Sequence, residues 1–379
     1  MIYLDNHATT PCDPEVIEFM HSFFGQNFGN PSSSIHKVGR QADNAVKYAR
    51  EQVAELLGAK PKEIIFTSGA TESNNIAIQG LVKGSDGTRG QIVTTPIEHK
   101  SILNQCKALE KDGWEIIYLP VDKSGTVKIE DAKKLITQNV LVVSVQTASN
   151  EIGTIQSIKD LSEIAHEKGA YFHTDAAQAV GKIPVRVNQM GIDLLSISAH
   201  KFYGPKGVGA LYVRGGVYAM PIRPIVFGGE QEFNLRSGTL NVPGIVGLGK
   251  ACELCQGNIE KELERIGTLR DLLESNLMLS IDYQRNGNLE NRLPNNSNLT
   301  FKGIDAEALI VNMVDLAIST GSACTSGALE PSHVLQAIGI NRNDANSTVR
   351  IGLGRFTTED EIKTASAIIL ENINKLRAV

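Results

Sequence analysis

Short apolar runs alternate with stretches of helical periodicity between residues 62 and 213. Several of these runs are nearly continuous hydrophobics, which is typical of strands covered on both faces. Strands that alternate with helices predict a mostly parallel sheet with right-handed crossovers, and therefore an α/β fold. The predicted strands span residues 63–67, 91–95, 115–119, 140–145, 171–174, 194–198 and 209–213.

The pattern changes after residue 257. A charged helix is predicted over 258–279, followed by an Asn/Gly-rich loop over 286–298 and then by mixed helix and strand. A capping box formed by Thr358 and Glu361 predicts the start of the last helix. The length of 379 residues exceeds what one core usually serves. We therefore predict a large α/β domain followed by a smaller α+β domain.

Composition and charge limit the binding partners and the cellular compartment that we expect. The net charge is −5 and no run of Lys or Arg forms a basic arm, so direct binding to nucleic acid is not expected. The first residues lack the basic and then apolar pattern of a signal peptide, and no segment approaches membrane-spanning length. Five scattered cysteines do not form a disulfide framework. We expect a cytoplasmic protein with no membrane contact.

Ligands of parallel α/β sheets bind at the carboxyl ends of the strands. The segment 68–74, SGATESN, follows the first strand and exposes backbone N–H groups at a helix start, which suits a phosphate. The segment is not a P-loop, because no Gly-Lys-Ser/Thr follows. An ordinary tight turn with an N-cap has the same appearance, so this alternative stays open.

Two later strand ends carry titratable groups. Asp175 is placed to pair with a protonated ring nitrogen, with Gln178 reaching another ring substituent, although a helix N-cap would also explain an aspartate there. Lys201 is placed to form a Schiff base with a carbonyl cofactor, and Ser198 and His200 to hold a phosphate beside it. A solvated lysine is the commoner fate of this residue type.

Cys324 lies in a segment, 319–327, whose other residues are all Gly, Ser, Thr or Ala. Such a segment is too polar for a core, so a buried structural cysteine is disfavoured. A thiol in this setting can be deprotonated, attack a substrate and carry its cargo elsewhere. The remaining cysteines, among them Cys252 and Cys255, are interpreted as helix-packing residues, since one Cys-x-x-Cys is poor evidence for zinc.

The order of these features resembles the large domain of the aspartate-aminotransferase fold, and several motifs resemble the cysteine desulfurases of the NifS/IscS-like branch. The similarity runs from residue 3 to about residue 357. The motifs are YLDNHATT (3–10), FGNPSS (28–33), TSGATES (67–73), NEIG (150–153), HTDAAQ (173–178), HK (200–201), RSGT (236–239) and GSACTS (321–326).

The resemblance implies a pyridoxal-phosphate fold of type I. It implies a large cofactor-binding domain over 14–257, with a mostly parallel seven-stranded sheet, and a small α+β domain formed by 1–13 and 258–379 that carries the catalytic Cys segment. It also implies a homodimer.

The resemblance also implies residue roles. Lys201 would hold pyridoxal 5'-phosphate and move protons, His99 would stack on its ring and take part in proton transfer, and Cys324 would take the sulfur. The implied cofactor ligands are Ala70, Thr71, Asn150, Asp175, Gln178, Ser198, His200, Lys201 and, from the other subunit, Thr239. The implied ligands of the substrate carboxylate are Asn30 and Arg350. No resident metal is expected, with a transient iron–sulfur contact at Cys324 left open.

The resemblance has departures. Gly352 stands where many relatives carry Ser, and Asn6-His7 replaces a more usual Tyr-Ser pair. The sequence ends at Val379, where housekeeping relatives often continue with a tail that helps to dock an iron–sulfur scaffold. The identity of the sulfur acceptor therefore stays open.

The function that this resemblance implies is conversion of L-cysteine to L-alanine, with the sulfur held as a persulfide on Cys324. The acceptor would be a protein such as an iron–sulfur scaffold or a thiolation carrier. Two other functions stay open: a pyridoxal-phosphate lyase or aminotransferase in which Cys324 is incidental, and a non-catalytic scaffold that carries sulfur.

Overall fold

The computed structural model describes residues 1–257, 259–320 and 331–378. The α-helices of this part of the chain are α1 Pro14–His21, α2 Lys37–Leu57, α3 Ala70–Gly84, α4 Lys100–Lys111, α5 Ile129–Leu135, α6 Ile158–Glu167, α7 Val242–Gln256, α8 Ile259–Met278, α9 Ala306–Asn312, α10 His333–Ala337, α11 Arg342–Asn346 and α12 Glu359–Arg377. Its strands are β1 Ile2–Tyr3, β2 Ile64–Thr67, β3 Gln91–Thr94, β4 Glu115–Tyr118, β5 Val140–Ser144, β6 Tyr171–Asp175, β7 Leu194–Ser198, β8 Gly209–Val213, β9 Gln284–Arg285, β10 Asn296–Thr300, β11 Leu316–Ala317, β12 Ser319–Thr320 and β13 Thr348–Gly352.

The large sheet has seven strands in the order β2-β8-β7-β6-β5-β3-β4. Its pairings are parallel except for β8, which is antiparallel to both of its neighbours. This architecture confirms the predicted mostly parallel sheet, and each predicted strand is found to within one residue at either end. Because β2, β3, β5, β6 and β7 run in the same direction, their carboxyl ends meet at one edge.

The core of the large sheet contains the helix-packing residues expected from the sequence. Helix α2 ends at Leu57, and the next residue, Gly58, has a φ of 68°, the left-handed conformation typical of a C-terminal stop. Cys252 and Cys255 are buried in the same core cluster, on α7. Burial raises the pKa of the Cys255 thiol to about 11 and that of Cys252 well above its ordinary value. Both thiols are therefore protonated and unreactive at neutral pH.

A second, antiparallel sheet has the order β12-β13-β10-β9, and β1 pairs with β11 beside it. A separate core cluster lies under this second sheet and includes Leu4 and residues of α8, α9 and α12. Helix α12 starts at the predicted capping box. The Thr358 side chain accepts from the Glu361 backbone N–H, and the Glu361 side chain accepts from the Thr358 backbone N–H. The boundaries of the two domains stay a prediction, which the separation of the two core clusters supports.

The sequence prediction of a loop over 286–298 is wrong at its end, because β10 already begins at Asn296. Asn296 and Asn298 are buried, and each donates through Nδ2 to the carbonyl of Glu151, at 3.0 and 3.2 Å. Ser297 between them donates to the Glu274 carboxylate at 2.8 Å. These polar residues can occupy a buried strand because other parts of the chain supply their hydrogen-bond partners.

No helix of the described ranges has the length and apolar character needed to cross a membrane.

Candidate active site

A cavity of about 480 Å³ lies at the edge where the parallel strands end. Turns after the strands form most of its wall, the segment before α1 closes another side, and β13 contributes one arginine. Its lining residues are His7, Ala8, Ser68, Gly69, Ala70, Thr71, Glu72, His99, Gln146, Ala148, Asn150, Asp175, Ala177, Gln178, Ser198, His200, Lys201, Lys206, Gly207 and Arg350. Most of the residues predicted to form the site are therefore brought together.

Three of the predicted site residues are not in this wall. Asn30 is exposed, and its side chain accepts from the Ser32 backbone at 3.0 Å within its own turn. Thr239 is also exposed and does not line the cavity of its own chain. Cys324 lies outside the described residues. The roles predicted for these three residues stay predictions.

The first wall is the start of α3. Gly69 precedes the helix with a φ of 151°, and a side chain there would be strained. Across the turn, a Cβ on Gly209 would lie 2.7 Å from the Gly69 Cα, so only glycine lets β8 pass this closely. The first turn of a helix leaves backbone N–H groups without helical partners. Ala70 and Thr71 therefore present donors to the cavity, as a bound phosphate requires.

The charge of Glu72 is compensated beside this turn. Arg236 donates to Glu72 Oε1 at 2.7 Å, and the Ser68 backbone donates to Oε2 at 2.6 Å. Burial opposes ionisation, but these hydrogen bonds hold the pKa of Glu72 below its ordinary value. The carboxylate is thus tied into the turn, with its charge offset by Arg236.

Asp175, at the end of β6, is 7% exposed. Its Oδ2 accepts from Asn74 Nδ2 at 2.8 Å and its Oδ1 from the Ala177 backbone at 3.0 Å. Within the described parts of the chain, no Lys, Arg or His side chain forms an ion pair with it. A buried carboxylate in this state lacks a compensating cation, and a protonated ring nitrogen in the cavity would supply one.

His99 is connected to Asp175 through two further side chains. Its Nδ1 accepts from the Ser101 backbone at 3.1 Å, which leaves the proton of the neutral ring on Nε2. Ser101 Oγ lies 2.8 Å from the same Nδ1 and accepts from Asn74 at 2.8 Å. Sequence reasoning included Asn74 in the phosphate turn but missed this role. A polar residue on the buried face of α3 was the available signal.

Lys201 follows β7 and reaches the segment before α1. Its Nζ donates to the carbonyls of His7 and Ala8, at 2.8 and 2.7 Å. The neighbouring His200 has its Nδ1 3.1 Å from Thr9 Oγ1. Burial and the nearby lysines, Lys201 first among them, lower the pKa of His200 to about 4. This imidazole is therefore neutral at pH 7.

Gln178 is held in one orientation by its neighbours. Its Oε1 accepts from Lys182 Nζ at 2.7 Å and lies 3.0 Å from His7 Nδ1, while its Nε2 donates to the His7 carbonyl at 2.9 Å. Desolvation and the charges of Lys201 and Arg350 lower the pKa of Lys182 well below its ordinary value. His7 and Lys182 were not predicted as site residues, and His7 was noted only as a departure from the family pattern.

Arg350 is 1% exposed and projects from β13. Its Nη2 donates to Asp5 Oδ1 at 2.9 Å and its Nη1 to the carbonyl of Asn150 at 3.0 Å. Its Nε has no hydrogen-bond partner among the described residues. The guanidinium is thus fixed in the cavity wall with donor capacity remaining, which suits recognition of a carboxylate.

The departures at positions 7 and 352 meet in space. A Cβ on Gly352 would lie 2.7 Å from His7 Cδ2 and 3.0 Å from the His7 backbone nitrogen. A side chain at position 352 therefore competes with the imidazole for the same space. The glycine and the histidine are explained together.

Two buried carboxyl groups lie behind the wall. Glu98 accepts from Thr95 Oγ1 at 2.7 Å and from the Gln146 backbone at 2.9 Å, and burial raises its pKa to about 8. Burial also raises the pKa of Glu151 to about 7. Glu98 links the turn that carries His99 to the turn that follows β5. Neither glutamate was predicted from the sequence as a site residue.

Comparison with known proteins gives the same family throughout. The aminotransferase class-V family matches residues 2–364. The chain is 48% identical to the cysteine desulfurase IscS of Rickettsia rickettsii (strain Iowa), over 100% of this chain and 92% of the relative.

Solved structures extend the match to the fold. A NifS-like protein superposes with a TM-score of 0.93 at 39% identity, covering 99% of this chain and 100% of that one. The structure of SspA in complex with cysteine gives a TM-score of 0.82 at 38% identity, with 94% and 100% covered. The chain belongs to the aminotransferase class-V family, among its cysteine desulfurases.

Proposed function

We propose that this cysteine desulfurase binds pyridoxal 5'-phosphate and L-cysteine in the cavity at the large-sheet edge and transfers the sulfur to its own Cys324. The observation that carries the assignment is the buried Asp175 carboxylate, which has no cationic partner in the described structure and lies in one cavity with Lys201. The cysteine-bound relative SspA supports the choice of substrate.

The residues of the cavity fit the cofactor. The start of α3, with Ala70 and Thr71, offers backbone donors to its phosphate, together with Ser198 and His200. Asp175 would pair with the protonated ring nitrogen, and Lys201 would hold the cofactor covalently through Nζ. When bound, the cofactor delocalises the electron pair that remains after the α-proton of cysteine is removed.

Asn150 and Gln178 both line the cavity and would lie on the hydroxyl side of the ring. Gln178 keeps one Nε2 hydrogen available, because its other Nε2 hydrogen bonds to the His7 carbonyl and its Oε1 is occupied by Lys182. Its amide orientation is therefore set before a ligand binds, which lowers the entropic cost of binding.

The reaction balances without an external oxidant. The carbon–sulfur bond of L-cysteine breaks and a sulfur–sulfur bond to Cys324 forms, while the methyl group of L-alanine gains the hydrogen that the two thiols release. The β-carbon is reduced by two electrons and the transferred sulfur is oxidised by two. Lys201 and His99 would move the protons, the latter through Nε2, since its Nδ1 is occupied by Ser101.

Arg350, with Asn30, would bind the carboxylate of the substrate. Arg350 is already held by Asp5 and Asn150, so little side-chain entropy is lost when the carboxylate arrives. The exposed Asn30 does not reach the cavity of its own chain in this structure, so its part in the proposal requires the partner subunit or a movement of its turn.

We also propose a homodimer in which Thr239 contributes to the cofactor site of the partner. Thr239 is exposed and outside its own cavity. The nearby segment 217–237 exposes Tyr218 and Phe227, at 87% and 76%. Aromatic side chains are enriched in protein–protein interfaces relative to the rest of the surface. Sedimentation that showed a fully active monomer would disprove this arrangement.

The sulfur acceptor would be a protein, either an iron–sulfur scaffold or a thiolation carrier, and the setting the cytoplasm. Trapping partners as mixed disulfides with Cys324 would identify the acceptor. A transient iron–sulfur contact at Cys324 belongs to the same proposal.

One experiment tests the proposed function against its two alternatives. Purified enzyme is mixed with L-cysteine and a reductant, the visible absorbance is followed, and alanine and sulfide are measured. A band that shifts with cysteine, with equal alanine and sulfide, is expected. Pyruvate or amino-group transfer in place of alanine would favour another pyridoxal-phosphate enzyme, and the absence of any band would favour a non-catalytic scaffold.

A further inference from the structure

Ser319 and Ser332 stand close, in sequence, to the two ends of the segment 321–330 that contains Cys324. Each serine donates its hydroxyl to a carboxylate. Ser319 Oγ donates to Asp5 Oδ1 at 3.0 Å, and Ser332 Oγ donates to Glu151 Oε2 at 2.5 Å. Neither carboxylate lines the cavity, and Asp5 also accepts from Arg350.

Both contacts lead to Arg350. Asp5 Oδ1 accepts from Ser319 and from Arg350 Nη2 at once. On the other side, Arg350 Nη1 donates to the carbonyl of Asn150, the residue before Glu151. Strand pairing adds a third connection, because Ser319 is the register partner of Arg350 between β12 and β13. One guanidinium is therefore connected to Ser319 through Asp5 and, through Asn150, to the turn that binds Ser332.

The Glu151 side is built rigidly. Glu151 is 4% exposed, and its carbonyl accepts from Asn296 and Asn298 of β10. Ser332 is 5% exposed, and its Oγ also caps α10 by accepting from the Val334 and Leu335 backbones. Such buried polar groups keep one arrangement, since breaking it would leave a carboxyl without a partner.

A second contact strengthens this end. His333, next to Ser332, has its Nε2 2.9 Å from the carbonyl of Glu98. Glu98 precedes His99, so the start of α10 is attached both to the turn of Asn150 and to the turn of His99. The segment that follows residue 330 is thus tied to two walls of the cavity.

We propose that Asp5 and Glu151 are positioning residues that hold Ser319 and Ser332, which flank the Cys324 segment in the sequence, to the cavity wall that carries Arg350. This role rests on the proposed function, in which Arg350 binds the carboxylate of cysteine and Cys324 attacks its sulfur. The proposed carboxylate site and the contacts of Ser319 and Ser332 then share one guanidinium. Transfer between two sulfurs depends on how closely the parts of the chain around them are held.

The Glu151 contact changes with pH. Burial raises the pKa of Glu151 to about 7, against the opposing effects of Ser332, Arg350, His99 and Lys100. A hydrogen bond to an ionised carboxylate is stronger than one to the neutral acid. The attachment of Ser332 is therefore weaker below about pH 7 and stronger above it.

Variants of Ser332 separate this contact from the helix cap. Ser332→Asp keeps an acceptor for the Val334 and Leu335 backbones but cannot donate to Glu151 and repels it. Ser332→Thr keeps both functions. With cysteine, we expect single-turnover persulfide formation on Cys324 to fall about tenfold or more in Ser332→Asp, with recovery in Ser332→Thr. The KM for cysteine and the cysteine-induced absorbance change should stay within about twofold.

Ser319→Ala gives an independent test at the other end, because its hydroxyl contacts Asp5 without touching the cavity. A smaller selective loss of persulfide formation is expected there. Wild type and Ser332→Ala are also compared from pH 6 to 8. The transfer rate of the wild type divided by that of Ser332→Ala should rise with pH as Glu151 ionises, and a misfolded variant would not show this pH dependence.

Wild-type persulfide formation in both Ser332→Asp and Ser319→Ala would overturn the positioning role. Parallel losses in the absorbance change and in transfer would overturn it as well, because they indicate a general structural defect. If the wild type itself forms neither persulfide nor alanine, the proposed function fails and the positioning role with it. Selective loss in the variants of a competent wild type supports both.

Discussion

The two sheets supply polar groups to one cavity in different ways. At the edge of the seven-stranded sheet the groups lie in or next to the turns that follow strands, as His99, Asn150 and Lys201 do. In the four-stranded sheet they lie within strands. Along β13, Val349 and Ile351 enter the core cluster while Arg350 and Gly352, on the other face, meet the cavity wall and His7.

This difference separates two tasks. Turns at strand ends present backbone donors and can differ in length without disturbing the sheet, which suits binding of a phosphate and a ring. A residue inside a strand is held by the ladder on both sides, which suits a group whose direction must not change. On the proposed function, the large sheet would build the cofactor site, and the small sheet would set the direction of the substrate carboxylate through Arg350.

Replacement of Lys201 is expected to have the largest effect, since it removes the covalent attachment at the large-sheet edge. Lys201→Ala should lose the borohydride-reducible bond to the cofactor and reduce alanine formation on the order of 10³-fold or more. Reduction with borohydride followed by peptide mass spectrometry measures the bond directly. Lys182→Met and Lys206→Ala are the matched variants, because both lysines lie close by, and each should retain the bond. If the bond persists in Lys201→Ala, another lysine holds the cofactor.

Cys324→Ser should abolish sulfur transfer while sparing the large-sheet site. The cofactor absorbance and its response to cysteine should remain, because none of the cavity residues is changed. Persulfide formation should fall below detection, since a hydroxyl has almost no anion near neutral pH and a poor affinity for sulfur. Mass spectrometry of the protein after mixing with cysteine gives the readout, with Cys12→Ser as the control.

Normal alanine and sulfide production by Cys324→Ser would contradict sulfur transfer through Cys324. Loss of the cofactor band in this variant would mean that the thiol is structural, and the separation of tasks between the sheets would no longer hold.

Asp175→Asn should slow proton removal without detaching the cofactor. The amide keeps the size of the carboxylate but loses the charge that would face a protonated ring nitrogen. A charge-assisted hydrogen bond contributes about 1.5–3 kcal/mol, so a decrease of roughly 10–100-fold in exchange of the substrate α-proton is expected. Exchange in deuterated buffer is followed by NMR. An unchanged exchange rate would remove Asp175 from the electronic role proposed for it.

The large-sheet site could be predicted largely from the sequence because its signals are local. Each strand is a short apolar run, and the residue that follows it, such as Asp175 or Lys201, is placed by the sheet at the common edge. Even the exception fits, since the antiparallel β8 contributes a glycine close to Gly69 in place of a functional side chain.

The second half of the site could not be predicted in this way. Asp5, Asn150 and Arg350 meet only because three distant segments fold together, and no spacing in the sequence encodes that contact. Asn296 and Asn298 indicated a loop by composition, and their place in a buried strand depends on the Glu151 carbonyl that accepts from both. Cys324 was predicted from the composition of segment 319–327 and from the family resemblance, and it lies outside the described residues.

The smallest expected effect concerns the boundary between the two regions, where His7 and Gly352 share space. Gly352→Ser adds a side chain whose Cβ would lie 2.7 Å from His7 Cδ2, so the segment before α1 must shift, at about 1–3 kcal/mol of stability. His7→Ser alone loses the contacts to Gln178 and Asn296. In the double variant the smaller residue at position 7 makes room for the serine at position 352.

The free energies of unfolding of the four proteins, from denaturant titration, should therefore be non-additive. We expect the double variant to be more stable than the sum of the single variants by about 1 kcal/mol or more. The recovery should be incomplete, because the His7 backbone nitrogen, 3.0 Å from the same Cβ position, remains. Gly267→Ser on α8 is the control, since the atom nearest to its Cβ position is 3.9 Å away, and its effect should stay within about 0.5 kcal/mol. Additive effects at positions 7 and 352 would mean that the chain repacks freely here, and the histidine and the glycine would then need separate explanations.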